Sequence, residues 1–249
     1  MSKTHGLGAR VYVDGYDLST FIESVGTIAG KQAPLGMTDI TQLAMERHGG
    51  VLDGNMEFKA FLATAAGEAH PVLRNYDRSN RLVSYAHRAT LGAPVAGLVA
   101  TQVDYGPTRE KNGRTLFDVK ADGALHGLEW GLALTADTRT DTTDTDGTGV
   151  SFGASYDFGL QAWLHVTEFT GTNVTIKLQE SSDDGSSDAY ADVTGGAFSS
   201  VTSGPTWERI ETARDQTIEE YLRVVTTGTF TSVSFFVGVA VNHTDHTGV

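Results

Sequence analysis

From residue 158 onward the chain alternates between apolar and other residues with a period of two. Val233, Phe235, Val237, Val239 and Val241 hold this pattern over nine residues. In a second run Leu160, Ala162, Leu164 and Val166 form one face, opposed by Gln161, Trp163, His165 and Thr167. A period of two sends successive side chains to opposite faces of an extended backbone, so these runs fold as strands and not as helices. Further strands are expected at 174–179, 190–193, 207–212 and 220–226. The links TGTN (170–173), DDGSS (183–187), TSGP (202–205) and TTGTF (226–230) carry turn residues. About six to eight short strands in some 90 residues predict a small Ig-like β-sandwich over 158–249.

The first half is more mixed. A strand is expected at 10–13, a turn at Asp14-Gly15 and a second strand within 18–28. Residues 30–50 show no clean period and read as a long loop, of the kind that carries function or orders on meeting a partner. At 55–62, Met56, Phe58, Ala60 and Leu62 face one way and Glu57 and Lys59 the other. The one helix candidate lies within 63–76, starting near His70 with Pro71 at its first position. Strands follow at 81–91, 96–105, 115–121 and 127–135, with Asn112-Gly113 as a hairpin signal. Strands with one helix predict an α+β, mostly β first domain.

Charge suggests where the halves divide. Of the 249 residues, 1–140 hold 14 Lys/Arg against 15 Asp/Glu, a net of −1. Residues 141–249 hold 4 against 16, a net of −12, giving −13 in all. The change falls in the Thr/Asp/Gly-rich stretch at 136–149, whose small polar side chains bury little apolar area. The expected organisation is therefore a domain over 1–140, a linker over 141–157 and a sandwich over 158–249. The acidic balance argues against wrapping nucleic acid by phosphate neutralisation. No cysteine is present, which removes disulfides, thiolate metal sites and cysteine nucleophiles. No 18-residue apolar run exists, and the N-terminus lacks the apolar core of a signal peptide, so the chain is expected to begin in the cytosol.

Motifs for chemistry are sparse. Gly149-Val150-Ser151-Phe152-Gly153 matches the G-x-S-x-G pattern, but a low-complexity stretch precedes it and strands follow, not the strand-turn-helix that lifts a nucleophilic serine. The Asp-rich stretches lack the D-x-D-x-D-G frame of a calcium loop and read as solvated turns. No acid/base pair, metal cluster or cofactor fingerprint stands out, so neither catalysis nor a cofactor is expected. Trp163 and Trp207 suit either a surface aromatic platform for sugars or one core and one edge tryptophan.

The order of features resembles a known family. It comprises V-x-V-D-G in the first strand, Gly49-Gly50-Val51-Leu52-Asp53-Gly54, an alternating strand, one helix and a GLEWG strand (127–131). Then come the run Phe169–Ser181, Tyr190–Thr194, Phe198 and YLRVVTTGTF (221–230). Together, from about residue 9 to 242, these resemble the major tail (tail tube) proteins of long, non-contractile-tailed bacteriophages, in particular those infecting actinobacteria.

The resemblance implies a structural virion protein made in the host bacterial cytoplasm. It implies two antiparallel sheets with a flanking helix, hexameric rings stacked into a hollow tube, and genomic DNA passing through without specific binding. The C-terminal sandwich becomes an external decoration. Implied partners are further copies of the chain and the tape measure, tail terminator and distal tail proteins. Pro34, Leu35, Met37, Ile40, Leu43, Met45, Arg47 and His48 become ring-stacking residues, and Asp53, Glu57, Lys59, Asp118 and Lys120 lumen-facing ones. A carbohydrate- or receptor-binding virion protein is the alternative, motivated by the two tryptophans.

Overall fold

The computed structural model describes residues 7–74 and 79–244. Its first strands are β1 (Arg10–Val13), β2 (Tyr16–Asp17), β3 (Ile22–Gly36), β4 (Arg47–Phe61), β5 (Arg81–Ala86), β6 (Pro94–Arg109) and β7 (Thr115–Gly123). There follow β8 (Glu129–Ala133), β9 (Arg139–Asp141), β10 (Thr145–Asp146), β11 (Val150–Ser151), β12 (Leu160–Ser181), β13 (Ala191–Ala197), β14 (Thr206–Glu211) and β15 (Tyr221–Val241). Helix among the described residues amounts to α1 (Ala69–Leu73) and a 3-10 turn at Ser19–Phe21. The mostly antiparallel β architecture is the one the alternation predicts. The expected helix is cut to five residues, and its far end at Tyr76 lies outside the described residues.

Two compact units result. One combines Met1–Thr20, Ser84–Gly97 and Trp130–Val249; the other combines Phe21–Val83 and Leu98–Glu129. This division differs from the expected boundary at 141–157.

In the first unit, β12 and β15 pair antiparallel along their whole lengths, from Leu160 opposite Val241 to Ser181 opposite Tyr221. The two links expected as turns, at 170–173 and 226–230, lie inside these strands. Register shifts at 166–173 and the opposed Gly171–Phe230 and Val174–Gly228 pairs bend both strands together. A Cβ at Gly171 would collide with Phe230, so only glycine lets the strands approach there. Both halves of the bent pair feed one apolar cluster. Leu160, Leu164 and Phe235 come from one half, and Ile176, Leu178 and Val224 from the other.

The expected linker is part of this sheet. Residues 132–151 run antiparallel along the other edge of β15 as β8, β9, β10 and β11, in that order. Its polar composition hides the strand because its side chains pair with each other and with β15. Arg139 makes a bidentate pair with Asp141 at 2.8 Å and donates to the carbonyl oxygens of Val224 and Thr145. Asp141, buried, also accepts from the Thr226 hydroxyl at 2.8 Å.

Two side chains on β12 anchor the inner part of this unit. Trp163, read from sequence as half of a possible surface platform, is 1% exposed. It sits between glycines: a Cβ at Gly97 or Gly238 would come within 2.6 or 2.5 Å of the indole. Its burial rules out stacking on a sugar. His165 is fully buried, with Nδ1 accepting from the Gly15 N–H at 3.1 Å and Nε2 2.8 Å from the Ser84 hydroxyl. The Gly15 donor requires a bare Nδ1, so the proton resides on Nε2 and points at Ser84. This serine–histidine pair therefore has the opposite polarity to a nucleophile and its base.

The second unit holds a four-stranded antiparallel sheet in the order β3–β4–β7–β6, to which β6 contributes from Leu98 onward. Met56, Phe58 and Ala60 of β4 and Phe117, Val119 and Ala121 of β7 form its buried face. Tyr105 stacks on Phe117 at 4.4 Å, and its hydroxyl lies 2.7 Å from His70 Nδ1. Arg81 and Gln102 donate to the carbonyl oxygens of Val72 and Leu73, satisfying the end of the short helix. Residues 30–50, expected as a loop, are instead the outer arms and tip of the β3–β4 hairpin. Both faces of that hairpin end are exposed, so burial imposes no period on its sequence.

Arg139→Ala leaves a buried carboxylate uncompensated and is expected to cost about 3 kcal/mol of stability in urea denaturation. Burial lowers the His165 pKa to about 3. The unfolded chain then binds a proton below its ordinary value near ~6.5 that the folded chain refuses. Stability is full above that value and falls as pH drops from it towards 3, by up to about 4–5 kcal/mol. The stability gap between wild type and His165→Gln should therefore narrow across this window.

Candidate functional site

The β3–β4 hairpin brings all eight expected stacking residues together. Pro34 and Leu35 end the outgoing arm, Met37, Ile40, Leu43 and Met45 occupy the tip, and Arg47 and His48 start the return arm, with Leu35 opposite His48. The tip satisfies its own polar groups. The Thr38 hydroxyl accepts from the Glu46 N–H at 2.8 Å, and the Met37 N–H donates to the Glu46 carbonyl oxygen at 3.0 Å. Asp39 accepts from the Thr41 hydroxyl and N–H at 2.6 and 2.7 Å, which lowers its pKa. Glu46 is held below the usual carboxylate range first by Gln42 and then by His48.

With its polar atoms engaged, the tip turns its apolar side chains outward: Ile40 is 103% exposed and Leu43 106%. Leu35, Met37 and Met45 are also exposed. Isolated exposed leucines are ordinary, but a cluster on a projecting hairpin marks an interaction surface. At the base of the hairpin lies a groove of about 830 Å³, bordered by Lys31, Val51, Leu52, Asp53, Leu125 and His126. Val51 and Leu125 there are each 83% exposed. Sequence reading missed this groove: Leu125 enters it from the turn after β7 in a positive-φ conformation, and no period flags such a residue.

Four of the five expected lumen residues share the face of the sheet opposite its buried side. Glu57 stands opposite Lys120, and Lys59 opposite Asp118. Lys59 pairs with Asp118 and Lys120 with Asp122, both at 3.3 Å. Asp104 of β6, opposite Lys120, joins them around a groove of about 290 Å³. Asp53 stands apart, in the groove at the hairpin base, with Oδ1 accepting from the Gly54 N–H at 2.7 Å. Asp104 and Asp122 were not singled out from sequence, although the Asn112-Gly113 signal sets the β6–β7 register that brings them here.

The remaining motifs resolve locally. The Ser151 hydroxyl donates to Glu220 at 2.7 Å, on a two-residue strand at the edge of β15. Asp183 accepts from the N–H groups of Ser186, Ser187 and Asp188 within its own turn, and this holds its pKa low. No group of three or more metal-ligating side chains occurs among the described residues. Trp207, on β14 opposite His165, is half-buried.

Since Ile40 and Leu43 touch nothing in the folded chain, Ile40→Ser and Leu43→Ser should each shift unfolding free energy by less than about 0.5 kcal/mol. Urea denaturation of dilute protein checks this.

No family model and no curated protein matches the chain. Among solved structures, similarity is found to the SPP1 Dit (gp 19.1) protein, described as a paradigm of the hub adsorption apparatus in phages infecting Gram-positive bacteria. That match has 10% identity and a TM-score of 0.32, and covers 93% of this chain and 98% of that one. It is also found to a chain of the phage p2 baseplate in its activated conformation with Sr, at 8% identity and a TM-score of 0.34, covering 92% and 97%. TM-scores of this size fall below those of a shared fold.

Proposed function

We propose that this chain is a structural, non-enzymatic component of a phage tail. In this reading it builds hexameric rings that stack into a tube for genome passage, with tape measure, tail terminator and distal tail proteins as its other partners. The observation that carries the proposal is the β3–β4 tip, whose apolar side chains project into solvent while Thr38, Asp39, Thr41 and Glu46 bond to one another within the tip. Only association buries them.

The receiving surface is the groove at the hairpin base of a second copy. A tip cannot reach its own groove, because Leu52 lies six residues from Glu46 along a paired strand, roughly 20 Å away. The chemistry also matches: the groove offers Val51, Leu52 and Leu125 with Lys31, and the tip offers Ile40 and Leu43 with the carboxylates of Asp39 and Glu46. A tip in a neighbour's groove is a head-to-tail contact, which closes into rings or propagates as stacks. The charged sheet face suits a conduit. Lys59 and Lys120 are tied to Asp118 and Asp122, and Glu57 and Asp104 add negative charge, so a sliding duplex meets both of these lysines already neutralised.

Because the chain has no cysteine, paired substitutions test this cleanly. Ile40→Cys mixed with Leu52→Cys should yield a disulfide-linked dimer under oxidation, and a chain carrying both should yield a ladder. Wild type should form rings or tubes in electron microscopy, and Leu43→Asp should abolish them. A strictly monomeric species at high concentration, even with other virion components present, overturns the proposal.

A further inference from the structure

The turn between β6 and β7 reads Glu110-Lys111-Asn112-Gly113-Arg114, and Asn112 alone among the asparagines of the chain precedes a glycine. We propose that Asn112 is a site of spontaneous covalent modification. The Gly113 backbone nitrogen closes on the Asn112 side-chain amide, and water then opens the ring to aspartate or isoaspartate.

The step balances with water as its only co-reactant. The Gly113 nitrogen loses its proton and bonds to Asn112 Cγ. The Cγ–Nδ2 bond breaks, and the departing nitrogen takes up a proton and leaves as ammonia, which gives a cyclic imide. Water attacking the side-chain carbonyl carbon of the imide restores the ordinary backbone and leaves aspartate. Water attacking the backbone carbonyl carbon leaves the chain running through Cγ as isoaspartate. One water is consumed, one ammonia is released, and nothing is oxidised or reduced.

The turn holds the groups this chemistry needs. Lys111, Asn112, Gly113 and Arg114 are all exposed, so water reaches the amide. No side chain shields the Gly113 nitrogen, and a Cβ placed there would meet nothing within 4 Å. Asn55, by contrast, is buried, and Asn173 and Asn242 precede the bulkier Val174 and His243. Asn112 Oδ1 accepts from the Arg114 N–H at 2.9 Å. Negative charge develops on that oxygen as the Gly113 nitrogen attacks, so the bond strengthens towards the tetrahedral intermediate. Asn112 Nδ2 donates to the Glu110 carboxylate at 3.0 Å, which places a proton relay beside the departing nitrogen. The Gly113 N–H donates to the Glu110 carbonyl oxygen at 3.0 Å, a bond of an exposed turn that opens locally at little cost.

Either product sets a carboxylate next to Glu110 and removes the donor that Glu110 now accepts. Isoaspartate also adds a methylene to the backbone of a turn that Gly113 closes at a φ of 91°. That works against the register setting Arg109 opposite Thr115.

The test holds the full folded chain for weeks in heavy-oxygen water at mildly alkaline pH, followed by digestion in ordinary water. The chymotryptic peptide over 106–117 should exchange an amino group for a hydroxyl carrying heavy oxygen, and should become a substrate for protein isoaspartyl methyltransferase. Peptides holding Asn55, Asn173 or Asn242 should keep their mass over the same period. Asn112→Gln should lose the shift, because its imide ring would be one atom larger. Glu110→Gln should slow it. Absence of the shift in folded wild type, conversion only after denaturation, earlier conversion of another of these asparagines, or a shift retained in Asn112→Gln overturns the proposal. A wild-type rate in Glu110→Gln overturns the relay. Ring formation by the β3–β4 hairpin is independent of every one of these outcomes.

Discussion

The pairing of β12 with β15 organises the larger of the two units. Each strand runs for more than twenty residues, and both bend where their glycines face the partner. Because the bends are matched, the same two strands supply both halves of the apolar cluster. A strand of that length with an open side would be an invitation to pair with another chain. β15 avoids this by accepting the discontinuous ribbon of β8 to β11 along its other edge, pinned where Asp141 meets Arg139 and Thr226. Register along β15 thus constrains residues on both sides of it, and an error there displaces core residues from both halves at once.

Legibility in the sequence followed burial. Where one face of a strand is buried, as at Met56, Phe58 and Ala60, alternation identifies the strand and its inward residues; Val233 to Val239 alternates too, although both of its faces are buried. Where neither face is buried, as at residues 30–50, the sequence shows no period and the segment reads as a loop. Where polar side chains rather than apolar ones hold the backbone, as at 139–151, composition suggested a linker. The TGTN and TTGTF segments show a further limit: the same glycines that end strands also let two long strands bend while paired. Trp163 illustrates the last one. The sequence leaves it either a surface platform or a core residue, and only the glycines brought opposite it, Gly97 and Gly238, reveal the slot it fills.

Charge divides differently once the units are known. The unit containing Trp130–Val249 holds 8 Lys/Arg against 19 Asp/Glu, a net of −11, and the hairpin unit 10 against 12, a net of −2. The near balance of the hairpin unit does not mean scattered charge. On its exposed sheet face, Lys59 pairs across strands with Asp118 and Lys120 pairs along β7 with Asp122, which leaves a surface polar in character and weak in net field. The acidic unit also pairs its cations, as Arg139 with Asp141 and Lys177 with Asp192, but its carboxylates outnumber them, and the surplus favours solubility through mutual repulsion.

The tip of the β3–β4 hairpin is held by bonds within itself and packs against none of the core. Substitutions at Ile40 or Leu43 therefore leave folding almost untouched while altering what the hairpin can join. Natural variation can explore new contact surfaces there without first finding compensating changes in the interior. The core is under the opposite regime, since Trp163 admits change only together with the two glycines that enclose it. Divergent relatives of this chain should accordingly keep the slot and rewrite the tip.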